Sequence, residues 1–135
     1  MKTLKLALCF LFATIVSNNC FSQDTTFYTY ATVVFENSIK YESESKVVDS
    51  YLEIVKVVLK KENIIFDSIE NTQYDSLYHI IQHSAEKEGD YYLDTYKCTD
   101  TKDRVCFVVF KKTNDKLKSI QILYTNVSFV YLVAL

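Results

Sequence analysis

The sequence predicts an α+β domain: two helices packed on one face of a curved antiparallel β-meander, with an N-terminal strand added to the sheet. Three observations predict it. A period-two stretch surrounds residue 30, two amphipathic stretches with helical spacing follow, and the last third threads as hairpins that share one apolar face.

The first element is TTFYTYATVVFE, in which Phe27, Thr29, Ala31, Val33 and Phe35 alternate with Tyr28, Tyr30, Thr32 and Val34. Aromatic and β-branched residues at period two specify a strand. In SESKVVDSYLEIVKVVLKKEN, Val47, Val48, Tyr51, Leu52, Ile54, Val55, Val58 and Leu59 fall in one arc of a helical wheel. Lys46, Asp49, Glu53, Lys56 and Lys60 lie opposite, so the stretch is expected to be an amphipathic helix. After a short apolar piece, Ile64 to Ile69, the segment NTQYDSLYHIIQHSAEKEGD offers Thr72 as a cap. Its stripe is Tyr74, Leu77, Tyr78, Ile81 and Ala85, and it stops at Gly89, the only glycine, where a left-handed C′ residue suits a second helix.

In the meander, turns at Thr101-Lys102-Asp103, Asn114-Asp115 and Thr125-Asn126 set Cys98 opposite Cys106, Phe107 opposite Ile122 and Ile122 opposite Phe129. One face then collects Leu93, Val105, Phe107, Val109, Ile120, Ile122, Tyr124, Phe129 and Tyr131, as a core-facing sheet requires. The other face carries Tyr92, Tyr96, Val108, Phe110, Val130 and Leu132. A face turned away from the helices is normally polar, so this one is the expected interaction surface. In order of elements alone, the chain resembles cystatin-like and nuclear-transport-factor-like folds and helix-helix-sheet inhibitors, and such architectures host unrelated functions.

The N-terminus, MKTLKLALCFLFATIVSNNCFSQD, has Lys2 and Lys5 ahead of an apolar run from Leu6 to Val16. That run is well short of the roughly 20 residues of a membrane-spanning helix, so Met1 to Ser22 reads as a cleaved signal peptide. Ser17 and Asn19 stand where a lipidation signal wants a Leu-like and a small residue, which disfavours a lipoprotein anchored at Cys20. The mature chain, 23–135, is expected to form one domain in the periplasm or outside the cell, without a transmembrane segment. It keeps Cys98 and Cys106, for which export predicts a disulfide.

Composition narrows the function. The whole chain has 15 Lys and Arg against 17 Asp and Glu, and losing Lys2 and Lys5 makes the mature formal charge −4. No basic groove for nucleic acid is expected. Neither a Gly-rich phosphate loop nor a serine elbow is present. Asp75, His79, His83 and Glu86 share a helical stripe with metal-ligand spacing, but HIIQH has Ile80 where the zinc hydrolase motif needs its glutamate base. No cofactor is expected. The sequence favours a small non-enzymatic binding module, an inhibitor or accessory protein, that meets a protein partner or a second copy through its tyrosine-rich sheet face. The alternatives are a metal-dependent hydrolase on His79 and His83, and a small-ligand carrier.

Overall fold

The computed structural model describes residues 24–37, 45–68 and 76–133. They form β1 (Thr25–Asn37), β2 (Ser45–Leu59), β3 (Asn63–Ser68), β4 (Ser76–Glu88), β5 (Tyr91–Thr99), β6 (Val105–Thr113), β7 (Lys116–Leu123) and β8 (Val127–Val133). Each strand pairs antiparallel with the next and β8 returns to β1, closing an eight-stranded up-and-down barrel. The α+β expectation is corrected: the described residues are all β, and none lies in a helix. No helix among them is long and apolar enough to cross a membrane. The predicted signal peptide, Cys20 and Asp75 lie outside the described residues.

The first expected helix is strand β2. It imitates an amphipathic helix because both faces of the strand are apolar: Val55 and Val57 are buried inside, while Leu52 and Ile54 are exposed on the outer wall. Its β-branched residues are stiff at χ1, which suits a strand better than a helix. The second expected helix is strand β4. There Tyr78 is buried and Ile80 packs against the core, while Leu77 and Ile81 are exposed. Gly89 does have positive φ, 62°, but it serves a two-residue hairpin between Glu88 and Tyr91. The two stretches are needed as strands because closure of the ring removes the sheet edges that a shorter meander would leave open.

In the meander, two of the three registers are as the sequence predicts. Cys98 pairs with Cys106 and Ile122 with Phe129. The second hairpin starts in the predicted register, Thr113 with Lys116 and Lys112 with Leu117, and then slips. Lys111 pairs with Ser119, which leaves Lys118 as an extra residue in β7, and Phe107 pairs with Leu123 in place of Ile122. Because side chains alternate, a one-residue slip exchanges inside and outside for the strand beyond it. Ile120, Ile122, Phe129 and Tyr131 stay inside, but the β6 partners of Ile120 and Ile122 become Phe110 and Val108. Val105 and Phe107 are exposed on the outer wall.

The upper half of the lumen is filled. Phe110, Ile64, Ile120, Ile122, Val57 and Val108 are almost wholly inaccessible, and Phe110 packs against the rings of Phe27 at 5.6 Å and Tyr96 at 5.5 Å. An eight-stranded ring is just wide enough for such side chains to fill it. The buried Thr29 hydroxyl donates to the Val55 carbonyl across the β1/β2 pair, at 3.3 Å. Lys56, Asp67, Lys97 and Lys111 interrupt the outer wall. Exposed Leu52, Ile54, Leu77, Ile81, Val105 and Phe107 stand among them, so the outer wall is mixed in character.

Cys98 and Cys106 face each other as expected, but they are buried free thiols, which corrects the disulfide. The Cys98 thiol donates to the Tyr96 carbonyl at 3.5 Å, and the Cys106 thiol has a hydrogen bond with Tyr124. Burial pushes Cys98 up to about 12 and Cys106 to about 11. Both are therefore protonated and act as small apolar core residues. An alkylating reagent is expected to leave both untouched in the native protein and to modify both once urea unfolds it, with no reductant present. Modification that waits for a reductant would refute the free pair; mass spectrometry reads the difference.

Candidate ligand site at the barrel mouth

The two ends of the barrel differ. At one end the strands are joined by tight hairpins at 60–62, 89–90 and 114–115. At the other, the turns 100–104 and 124–126 border a mouth. Below it the core stops short, and Val55, Phe66 and Tyr131 form the inner wall of a cavity of about 380 Å³. An adjoining hollow of about 680 Å³ shares Ser76, Tyr78, Arg104, Tyr124 and Phe129 with it. Both volumes lie in the range of small-molecule sites.

The far wall is built on the β5/β6 turn. Asp100 accepts from the backbone N–H of Lys102 at 2.9 Å and of Arg104 at 2.9 Å, from Arg104 Nε at 2.8 Å and from the Tyr124 hydroxyl at 2.8 Å. The Asp103 N–H donates to the Asp100 carbonyl, which closes the turn with Asp103 at a φ of 59°. Burial pushes the Asp100 carboxyl up, but these four donors outweigh it and hold it at about 2. The Arg104 guanidinium lies over the Tyr124 ring, 5.3 Å from its centroid. The turn is thereby tied to the β7/β8 connection through charge and ring together.

The near wall comes from β2 and β3. Thr29 pairs with Val55 and Ala31 with Leu52, so Glu53 and Ile54 stand against Tyr30 alone. Along β2 the alternation Tyr51, Glu53, Val55, Val57 is unbroken, so Glu53 lines the cavity beside Tyr51 while Leu52 and Ile54 point outward. The Glu53 carboxylate accepts from the Ser68 hydroxyl. Tyr131 stands close by, its ring 5.0 Å from that of Phe66. Burial raises its hydroxyl's pKa well above the usual phenol range, and Tyr78, Tyr51 and Glu53 add to the rise. Burial raises Tyr78 and Tyr124 likewise, the latter also by hydrogen bonds to Tyr78 and Asp100. The mouth therefore presents neutral tyrosine hydroxyls, the carboxylates of Glu53 and Asp100 and the basic Lys102 and Arg104, a set equipped to bind a polar ligand. The Thr32 hydroxyl, in register with both Tyr51 and Tyr131, is fully buried without a hydrogen-bond partner among the described residues.

The predicted sites are distributed otherwise. His79 and His83 are not a helical pair: the irregularity between Ile80 and Gln82 puts His79 on the outer face and His83 on the inner. His83 stacks on Tyr96 at 4.3 Å and reaches Asp94 at 3.2 Å, and Lys112 holds the other Asp94 oxygen at 3.3 Å. Glu86 is exposed further along β4. No group of three or more potential metal ligands occurs among the described residues. The expected interaction surface is also divided: Val108 and Phe110 are in the core, Tyr96 is half-buried inside, Tyr92 is exposed, and Val130 and Leu132 are on the outer wall.

A groove of about 650 Å³ does lie on the outer wall, between Leu93, Phe107, Val109 and Leu123, with Lys111 4.0 Å from the Tyr91 ring centroid. It is a trough between outward side chains, whereas the mouth carries polar groups held by hydrogen bonds. Glu53, Asp100, Tyr124 and Tyr131 were not candidates in the sequence reading. DTKDR, with Asp100 four residues before Arg104 across a turn, was the available signal for one wall. Glu53 was hidden by its place on the polar side of an expected helix. Comparison of the chain with protein-family profiles, curated proteins and solved structures finds no match.

Proposed function

We propose that the protein is an exported, non-enzymatic binding protein whose ligand is a small polar molecule seated in the barrel mouth. The observation that carries this reading is the cavity of about 380 Å³, set where the packed core ends and ringed by tyrosines and carboxylates. A closed barrel suits the task because its hydrogen-bonded wall presents side chains with little freedom to lose on binding. The reading as a binding protein and not a hydrolase is supported by Asp100 being saturated by donors and by both histidines lying away from the mouth. The ring therefore supports capture rather than turnover.

The test is a thermal-shift screen of small polar compounds against the wild type and against Ser76→Tyr, which fills the mouth. A ligand at a hundred times its Kd stabilises the native state by about 2.7 kcal/mol. At least one compound is expected to raise the melting temperature of the wild type, and Ser76→Tyr to abolish the rise while itself remaining folded. A rise that survives the filled mouth, or no rise with any compound, would refute the reading.

A further inference from the structure

We infer that the ligand carries an organic ammonium group, held by Glu53 and the aromatic rings around it; this rests on the mouth being the ligand seat. The two carboxylates of the mouth are not equivalent. Asp100 is neutralised by Arg104 and receives three further hydrogen bonds. Glu53 is half-buried, accepts from Ser68, and has no ion pair among the described residues. A carboxylate drawn partly out of water calls for a compensating positive charge.

The mouth's own cations do not supply it. Lys102 and Arg104 stand on the β5/β6 turn, on the far side of the ring from β2. The Arg104 guanidinium is taken up by Asp100 and the Tyr124 ring, and Lys102 is exposed at the rim. Glu53 shares the cavity wall with Tyr51, Phe66 and Tyr131, and the Phe66 and Tyr131 rings pack 5.0 Å apart. Carboxylate plus aromatic faces is the chemistry that recognises an ammonium ion, the rings acting through their negative faces. A neutral ligand of the same shape would leave Glu53 uncompensated, and an anion would be repelled.

The experiment titrates the purified protein with choline and with its uncharged isostere 3,3-dimethylbutan-1-ol, and with butylamine against butan-1-ol, by calorimetry. At least one charged member is expected to bind tenfold or more tightly than its isostere. Glu53→Gln should erase that preference while the melting temperature of the free protein stays close to that of the wild type. Equal binding of charged and neutral members, or a preference that survives Glu53→Gln, overturns the ammonium assignment. Should a compound of the thermal-shift screen bind the open mouth and not the Ser76→Tyr form while both ammonium probes fail, the assignment falls and the ligand seat stands. If nothing binds the mouth at all, both fall together.

Discussion

Phe110→Ala is expected to destabilise the protein by about 3–5 kcal/mol, the usual cost of emptying a buried aromatic position. Phe107→Ala, three residues away on the same strand, should cost less than about 1 kcal/mol, as exposed substitutions do. The contrast follows from burial. Phe110 is 1% exposed and packs on Phe27 and Tyr96, whereas Phe107 is 42% exposed on the outer wall. Urea unfolding followed by tyrosine fluorescence measures both, since the chain has no tryptophan to mask that signal. The pair also tests the slip at Lys118. With the register of the turn continued along β6, Phe107 would face inward and Phe110 outward, and the two costs would exchange. A larger loss from Phe107→Ala would therefore contradict the barrel as described.

That slip marks the boundary of what the sequence discloses. The turn residues were legible: Asn114 and Asp115 both have positive φ, at 50° and 63°, as a two-residue hairpin demands. Pairings close to turns were legible too, which is why Cys98 with Cys106 and Ile122 with Phe129 were foreseen. A bulge inside a strand has no such signature. Lys118 is one polar residue among several in KLKS, and nothing local marks it as the extra residue. Its effect is nonetheless global, because every side chain beyond it changes face.

The two false helices have a different cause. In β2 and β4 the sequence satisfies helical spacing because apolar residues occur on both strand faces, which blurs the period of two. Leu52, at 82% exposure, is the extreme case. What selects the strand is pairing with neighbours distant in sequence, such as Thr26 with Val58 and Ile64 with Tyr78, and such partners are invisible to a local window. The mouth inherits this difficulty. Glu53 faces it only once the stretch is a strand, and it meets the Asp100 turn only because the ring closes.

Asp100→Asn is expected to cost about 1.5–3 kcal/mol at neutral pH, the range for hydrogen bonds that involve a charged group. The amide keeps the shape of the side chain but loses its charge and one acceptor oxygen. An amide nitrogen in place of Oδ2 would lose the bonds from Arg104 Nε and the Tyr124 hydroxyl, and one in place of Oδ1 would lose those from the Lys102 and Arg104 N–H groups. The same substitution should flatten the acid limb of the stability curve. The folded Asp100 carboxyl sits at about 2 against the ordinary 3.8, so the unfolded chain takes up its proton first as the pH falls. The stabilisation is fully present above pH 4, declines through the interval between 3.8 and 2, and is gone below it. Wild type and Asp100→Asn should thus converge in stability as the pH is lowered towards 2. Urea midpoints measured at pH 7, 4 and 2.5 would show this convergence, and a difference that stays constant across the three would mean that Asp100 does not carry the charge that ties the turn to Tyr124.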